Sequence, residues 1–169
     1  MIGWPIRFCP KGKFSLPVMD VMIDNTCDFE RMSLMDGFSG YNQIKMYPED
    51  EKHTSFRTPL KIYCYTIIPF GLKNASATYQ RPMYAIFHEY IHKTVECYVD
   101  DITVKSRDKG DHLADLKRVF DIMQAHRLKM NPTKCFLGVA SGKFLRFIVT
   151  SKEFTYTRRR SMLSKRCNP

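Results

Sequence analysis

Apolar and polar positions alternate most regularly between Thr94 and Ser106, where Val95, Cys97 and Val99 on one arm and Ile102 and Val104 on the other flank Asp100 and Asp101. Period two on both arms predicts a half-buried β-hairpin with Asp100-Asp101 at its tip. Phe29 to Asp36 alternates in the same way and ends on an acid, and a Gly/Ser turn from Gly37 to Tyr41 follows. Asp36 therefore falls at the C-terminal end of a strand. Tyr41 to Tyr47 alternates again, Pro48 to Lys52 is a polar turn, and Thr54 to Thr58 and Lys61 to Ile68 read as further strands. Beyond the break at Pro69 to Ala75, residues Tyr79, Met83, Ile86, Phe87 and Tyr90 recur at helical spacing. They predict a helix of about 15 to 20 residues, with a kink or late start at Pro82. Leu113, Leu116, Phe120 and Met123, with Leu128 near the end, mark a second amphipathic helix from Asp111 to Leu128. Lys134 to Val139 and Lys143 to Thr150 complete the pattern as two short strands.

Charge and cysteine content narrow the class. The chain of 169 residues carries a net charge of +10, which favours a polyanionic partner such as nucleic acid. Half of that excess falls in residues 151–169, which hold six Lys/Arg against one Glu. The cysteines (Cys9, Cys27, Cys64, Cys97, Cys135 and Cys167) are widely and irregularly spaced, so neither a zinc site nor a disulfide framework is suggested and free thiols are expected. The longest apolar stretch, Ile62 to Phe70, is interrupted by Tyr, Thr and Pro and is far shorter than the roughly 18 residues of a membrane span, so no membrane partner is expected. The first residues have no signal-peptide pattern and read as the interior of a longer protein.

The acids carry the candidate chemistry. Residues at a tight hairpin tip need positive φ and favour Asn-Gly or Asp-Gly, so two adjacent carboxylates there carry a conformational and an electrostatic cost. A divalent cation between them converts the repulsion into coordination. Asp36 and Asp100 are far apart in the chain, yet a sheet can bring a strand end and a hairpin tip together. Three carboxylates on one sheet edge suit a two-metal site about 4 Å across, the arrangement used for in-line phosphoryl transfer. The alternatives are an ordinary acidic turn at Asp100-Asp101 and a capping or turn carboxylate at Asp36.

Four blocks together resemble one family. Met32-Ser-Leu-Met-Asp36-Gly-Phe-Ser-Gly-Tyr41-Asn-Gln-Ile44 resembles the first aspartate motif of the reverse transcriptases, and Ile68-Pro-Phe-Gly-Leu-Lys-Asn-Ala-Ser-Ala-Thr-Tyr-Gln80 resembles the second. Tyr98-Val-Asp-Asp101 resembles their Tyr-x-Asp-Asp hairpin, and Leu128 to Val149, with its Asn-Pro-x-Lys-Cys segment, the end of the palm. Order and spacing match over residues 9–150, most closely in the gypsy-type long-terminal-repeat retrotransposon polyproteins.

The resemblance implies an α+β fold: a polymerase palm-type antiparallel sheet with helices on one face, partial fingers and no thumb. Residues 1–28 would form a partial fingers or lead-in segment, 29–150 the palm with partial fingers, and 151–169 a basic divergent tail. It implies RNA-directed DNA polymerase activity on an RNA or DNA template with a primer, using deoxynucleoside triphosphates and two Mg²⁺ ions, or Mn²⁺. Asp36, Asp100 and Asp101 would be the catalytic, metal-binding residues; Tyr41, Phe70, Gly71 and Gln80 would bind nucleotide, with Tyr41 excluding a ribose 2′-OH; Tyr98, Lys143, Phe144 and Leu145 would meet primer or template. The remaining fingers, the thumb and the ribonuclease H region of the polyprotein would lie outside this sequence, and the location would be intracellular, in a cytoplasmic retroelement particle or the nucleus. The chain departs from the family at Arg146, where the primer-grip turn usually has Gly, and at Arg158 to Arg160, which reads either as unrelated tail or as a phosphate-binding or nuclear-import patch. The alternative function is a catalytically inactive relic that retains weak nucleic-acid binding.

Overall fold

Strand β1 (Arg31–Asp36) is the centre of the molecule, and it is buried along both faces rather than one. In the computed structural model, which describes residues 14–150 in full and strands at 153–156 and 164–166 beyond them, β1 is an inner strand of a four-stranded antiparallel sheet. The sheet order is β4 (Val95–Tyr98), β5 (Asp101–Ser106), β1 and β6 (Phe136–Val139). Met35 of β1 lies on one face with Val95, Cys97, Ile102 and Val104, under α3 (Ala75–Ile86) and α4 (His112–Ala125). Met32 and Leu34 lie on the other face with Phe144 and Val149, and with Met22 and Ile23 of α1 (Met19–Asp24). Each such side chain, fully buried, contributes about 1.5–3 kcal/mol.

Alternation with period two held for β1, β4 and β5, but the polar members are buried as well. Ser33, Glu96, Thr103 and Lys105 are each no more than 1% exposed. The Lys105 ammonium donates to Glu96 Oε1 at 2.8 Å and to the Asn25 carbonyl, and it lies 4.7 Å from the centre of the Phe29 ring. A buried charge is tolerable only when paired and hydrogen-bonded in this way.

The first helix region begins at Ala75 and runs through Pro82 to Ile86, 12 residues rather than 15 to 20. Tyr79 and Met83 fill its inward face, and Phe87 caps it. The chain then tightens into turns, with Tyr90 N–H donating to the Phe87 carbonyl at 2.8 Å, so Tyr90 is no longer helical. Helix α4 forms where expected but is rotated. Its inward stripe is His112, Leu116, Val119 and Met123, which leaves Leu113 and Phe120 on the outer face. The rotation follows from His112, whose Nε2 is 2.7 Å from Ser33 Oγ and whose Nδ1 is 2.9 Å from Ser106 Oγ.

The expected strands between Tyr41 and Ile68 are mostly lost. Tyr41 is drawn into a 3₁₀ turn (Gly40–Gln43), α2 is a single turn (Pro48–Glu51), and only β2 (Phe56–Arg57) and β3 (Ile62–Tyr63) pair, with an isolated bridge between Lys45 and Ile67. On the far side, β7 (Ser141–Phe144), β8 (Phe147–Thr150), β9 (Glu153–Tyr156) and β10 (Ser164–Arg166) form a second antiparallel sheet. Part of the segment read as a divergent tail is thus strand-paired to β8. The Arg158 to Arg160 patch and residues 1–13 lie outside the described residues. Cys64, Cys97 and Cys135 are free as expected, whereas Cys27 is disulfide-bonded, a pairing that spacing alone does not encode. No helix among the described residues is long and apolar enough to cross a membrane.

Candidate active site

The site forms where β1 ends beside the β4–β5 turn. Asp36, the last residue of β1, is the register partner of Asp101, the first residue of β5. Tyr98 and Asp101 close the hairpin, so its two-residue tip is Val99-Asp100, one position earlier than the alternation predicts. The positive φ demanded by the turn therefore falls on Val99, at 51°, and not on a carboxylate-bearing residue. A β-branched residue in that region is uncommon and strained. The backbone knits the two elements together, with Gly37 N–H donating to the Asp100 carbonyl at 2.8 Å.

The turn after Asp36 is shaped by the Asp100 side chain. A Cβ placed on Gly40 would lie 1.7 Å from Asp100 Oδ1 and 2.6 Å from its Cγ, so only glycine leaves room for this carboxylate. Asp100 Oδ1 is buried and has no hydrogen-bond partner. Residues 129–131 lie along the same turn: Phe38 N–H donates to the Lys129 carbonyl, Asn131 N–H to the Asp36 carbonyl, and the Gln43 amide bridges Phe38 and Lys129. That alignment brings the Lys134 ammonium to 3.3 Å from Asp36 Oδ2.

One ammonium among three carboxylates leaves an excess of negative charge. Burial first, then the Asp36 and Asp101 carboxylates, push Asp100 up to about 6, against the opposing pull of Lys134. Asp101 is raised by burial and by Asp36, again opposed by Lys134. Beneath the turn, burial followed by the Asp101 and Asp100 charges raises the Cys97 thiol, which stays protonated as core.

The expected nucleotide-side residues separate into two groups. Tyr41 and Phe70 meet edge-on with ring centres 5.3 Å apart, Tyr41 also meets Tyr79 edge-on, and the Tyr41 hydroxyl is 2.8 Å from Ser76 Oγ. Phe70 is largely exposed and Gly71 has φ +92° with open space around it, so glycine serves the backbone conformation there. Gln80 is fully buried, with its amide on the backbone of Cys97 and Val99. Of the expected primer-side residues, Tyr98 is half-buried on the second core cluster, Lys143 is exposed, and Phe144 is a core side chain at 2% exposure. The β7–β8 turn is Leu145-Arg146, and its positive φ (56°) belongs to Leu145 rather than to Arg146, which replaces the family's glycine. Gly40 and Lys134 carry no periodic or motif signal of their own for these roles, because their contacts exist only once the turn after Asp36 meets the hairpin and residues 129–134.

Comparison with known proteins decides the family. The family model described as reverse transcriptase (RNA-dependent DNA polymerase) matches residues 10–157. This chain belongs to the reverse transcriptase family. Among curated relatives it is 33% identical over 138 residues to the retrovirus-related Pol polyprotein from transposon 297 of Drosophila melanogaster, covering 82% of this chain and 13% of that protein. It is 27% identical over 149 residues to the transposon Tf2-3 polyprotein of Schizosaccharomyces pombe, covering 88% of this chain and 11% of that protein. These relatives agree with the gypsy-type retrotransposon resemblance, and the chain spans only about an eighth of their length. Among solved structures, the foamy viral protease-reverse transcriptase in complex with RNA/DNA hybrid superposes with a TM-score of 0.80 at 21% identity, over 88% of this chain and 20% of that one. The foamy viral protease-reverse transcriptase dRH in complex with double-stranded DNA gives a TM-score of 0.81 at 20% identity over 89% of this chain and 26% of that one. The α+β palm-type fold expected from the motifs is thus the observed one.

Proposed function

We propose that this chain carries the nucleotidyl-transfer centre of an RNA-directed DNA polymerase, adding deoxynucleotides to a primer 3′-OH on an RNA or DNA template. The observation that carries it is the convergence of Asp36, Asp101 and the partnerless Asp100 at one sheet edge. Family membership and the likeness to reverse transcriptases solved with RNA/DNA hybrid and double-stranded DNA support nucleic acid as the partner. The net charge of +10 is consistent with it.

The residues fit a divalent cation by their chemistry: hard carboxylate oxygens, a buried Asp100 oxygen without a donor, and burial followed by mutual repulsion that raise two of the three acids. Among the described residues no three His, Cys, Asp or Glu side chains form a ready-made cage, and the Asp100 carboxylate rests on Gly40. Asp36, Asp100 and Asp101 would hold Mg²⁺ or Mn²⁺, in two ions by the family resemblance. When bound, such ions neutralise charge on the transferring phosphoryl group and its two flanking oxygens.

The chain's own contribution is placement. The β1–β5 register sets Asp36 against Asp101, and Lys134 offsets part of the charge beside Asp36. Tyr41, fixed by Ser76, Phe70 and Tyr79, presents a rigid aromatic wall suited to rejecting a ribose 2′-OH. Mg²⁺- or Mn²⁺-dependent primer extension on an RNA template, set against Asp100→Asn and Asp101→Asn, tests the proposal. Extension that exceeds both variants by about 10²-fold or more is expected. Extension no greater than theirs defeats the polymerase reading, and salt-sensitive binding without extension favours the inactive relic.

A further inference from the structure

Val99 is held in a left-handed conformation that its side chain disfavours, and something outside the hairpin holds it there. Strand β4 is the edge of its sheet, so backbone groups on its open side have no neighbouring strand to bond. Gln80 of α3, fully buried, supplies the partner. Its Nε2 donates to the Cys97 carbonyl at 2.6 Å, and its Oε1 accepts from Val99 N–H at 2.6 Å. One side-chain amide thereby substitutes for one peptide unit of an absent strand, bracketing the residue at which the turn begins.

We infer that Gln80 is a positioning residue for the Asp100-Asp101 pair, acting through the backbone of Val99 rather than by touching nucleotide. With Val99 fixed, Asp100 is directed onto Gly40 and Asp101 enters β5 opposite Asp36. Without the clamp, Val99 relaxes toward negative φ and both carboxylates move together. Among the described residues Gln80 makes no other side-chain hydrogen bond, and its burial keeps it from a substrate in this conformation. The inference rests on the polymerase reading for its catalytic consequence and on the hydrogen bonds alone for its structural one.

Gln80→Met keeps length and volume but removes both bonds, whereas Gln80→Glu keeps the acceptor for Val99 and loses the donor to Cys97. Amide hydrogen exchange of the intact chain is read at Val99, with Val95 and Ile102 as core references and thermal unfolding as the check of fold. In Gln80→Met, exchange at Val99 should rise on the order of tenfold while the references hold. In Gln80→Glu, Val99 should stay protected. In primer extension, kcat of Gln80→Met should fall on the order of 10²-fold with KM for the deoxynucleotide within about twofold. Unchanged exchange at Val99 in Gln80→Met overturns the clamp, as does a raised KM at unchanged kcat, which marks direct nucleotide contact. If Gln80→Met fails to fold, Gln80→Glu decides: loss of Val99 protection or a raised KM overturns the inference. If the parent chain extends no primer, the polymerase reading falls while the exchange result still judges the clamp.

Discussion

Replacing Gly40 with Ala isolates the position of one carboxylate. The φ of Gly40 is not in the positive region, so its backbone accepts Ala without strain. The new methyl would sit 1.7 Å from Asp100 Oδ1, 2.6 Å from Cγ and 3.2 Å from Oδ2. Non-bonded atoms settle near 3.5 Å, so the carboxylate must retreat by about 1.8 Å. The carboxylate has to move in a buried setting where the Asp36 and Asp101 charges, after burial itself, already oppose its ionisation. A shift of the turn strains the Gln80 bonds to Cys97 and Val99.

A misplacement of about 1 Å costs on the order of 10²-fold in rate, or about 2.7 kcal/mol of barrier. Overpacking costs roughly 1–3 kcal/mol of stability, offset in part by about 0.4–1 kcal/mol from the reduced freedom of the unfolded chain. Gly40→Ala should therefore lower kcat in primer extension by on the order of 10²-fold. Its thermal midpoint should fall by only about 2–6 °C. A double-mutant cycle with Asp100→Ala sharpens the test, because removing the carboxylate empties the space. Gly40→Ala should then be neutral or slightly stabilising in the Asp100→Ala background. Wild-type kcat in Gly40→Ala, or equal destabilisation in both backgrounds, refutes the close approach.

Three further outcomes follow from buried charge. Lys105→Met takes from Glu96, at 1% exposure, its buried ammonium partner and leaves it only the half-exposed His92 ring at 3.1 Å, which should cost about 3–5 kcal/mol in urea unfolding, whereas Lys105→Met with Glu96→Leu should recover most of it. His112 is held below its ordinary value mainly by burial, with Asp115 opposing, so the unfolded chain takes up its proton first as the pH falls. Its contribution to stability is complete above about pH 6.5 and is lost below that toward the folded value, and His112→Asn should flatten this part of the pH–stability curve. Asp100 has the opposite sign: with a folded value of about 6, above the unfolded one near 4, its ionised form destabilises the fold at neutral pH. Asp100→Asn should raise stability by about 1 kcal/mol at pH 7–8, after allowance for solvent screening, and the gain should vanish below about pH 4.

The contrast between Asp36 and Val99 shows how far local pattern reaches into such a site. Asp36 is legible because alternation runs along β1 and stops at a Gly/Ser turn, so its place at a strand end follows from neighbouring residues. The hairpin arms are legible for the same reason, but their tip is displaced by one residue. The displacement places positive φ on Val99, which is the less favourable local choice, and it is held by Gln80 from a helix 19 residues earlier. The rotation of α4 has the same origin. Leu113 and Phe120 belong to the expected stripe, yet hydrogen bonds from His112 to Ser33 and Ser106 turn these two side chains outward while Leu116 and Met123 stay inside. The directions of those bonds form one consistent chain. Ser106 donates to Asp115 and so accepts from His112 Nδ1–H, and Ser33 accepts from Gly138 N–H and so donates to His112 Nε2. Protonation of His112 breaks that order, so the rotation of α4 and the pairing of β6 depend on a neutral imidazole that no periodicity reveals. In this fold, hydrophobic period selects the elements, and a few buried amide, hydroxyl and imidazole groups set the register on which Asp36, Asp100 and Asp101 depend.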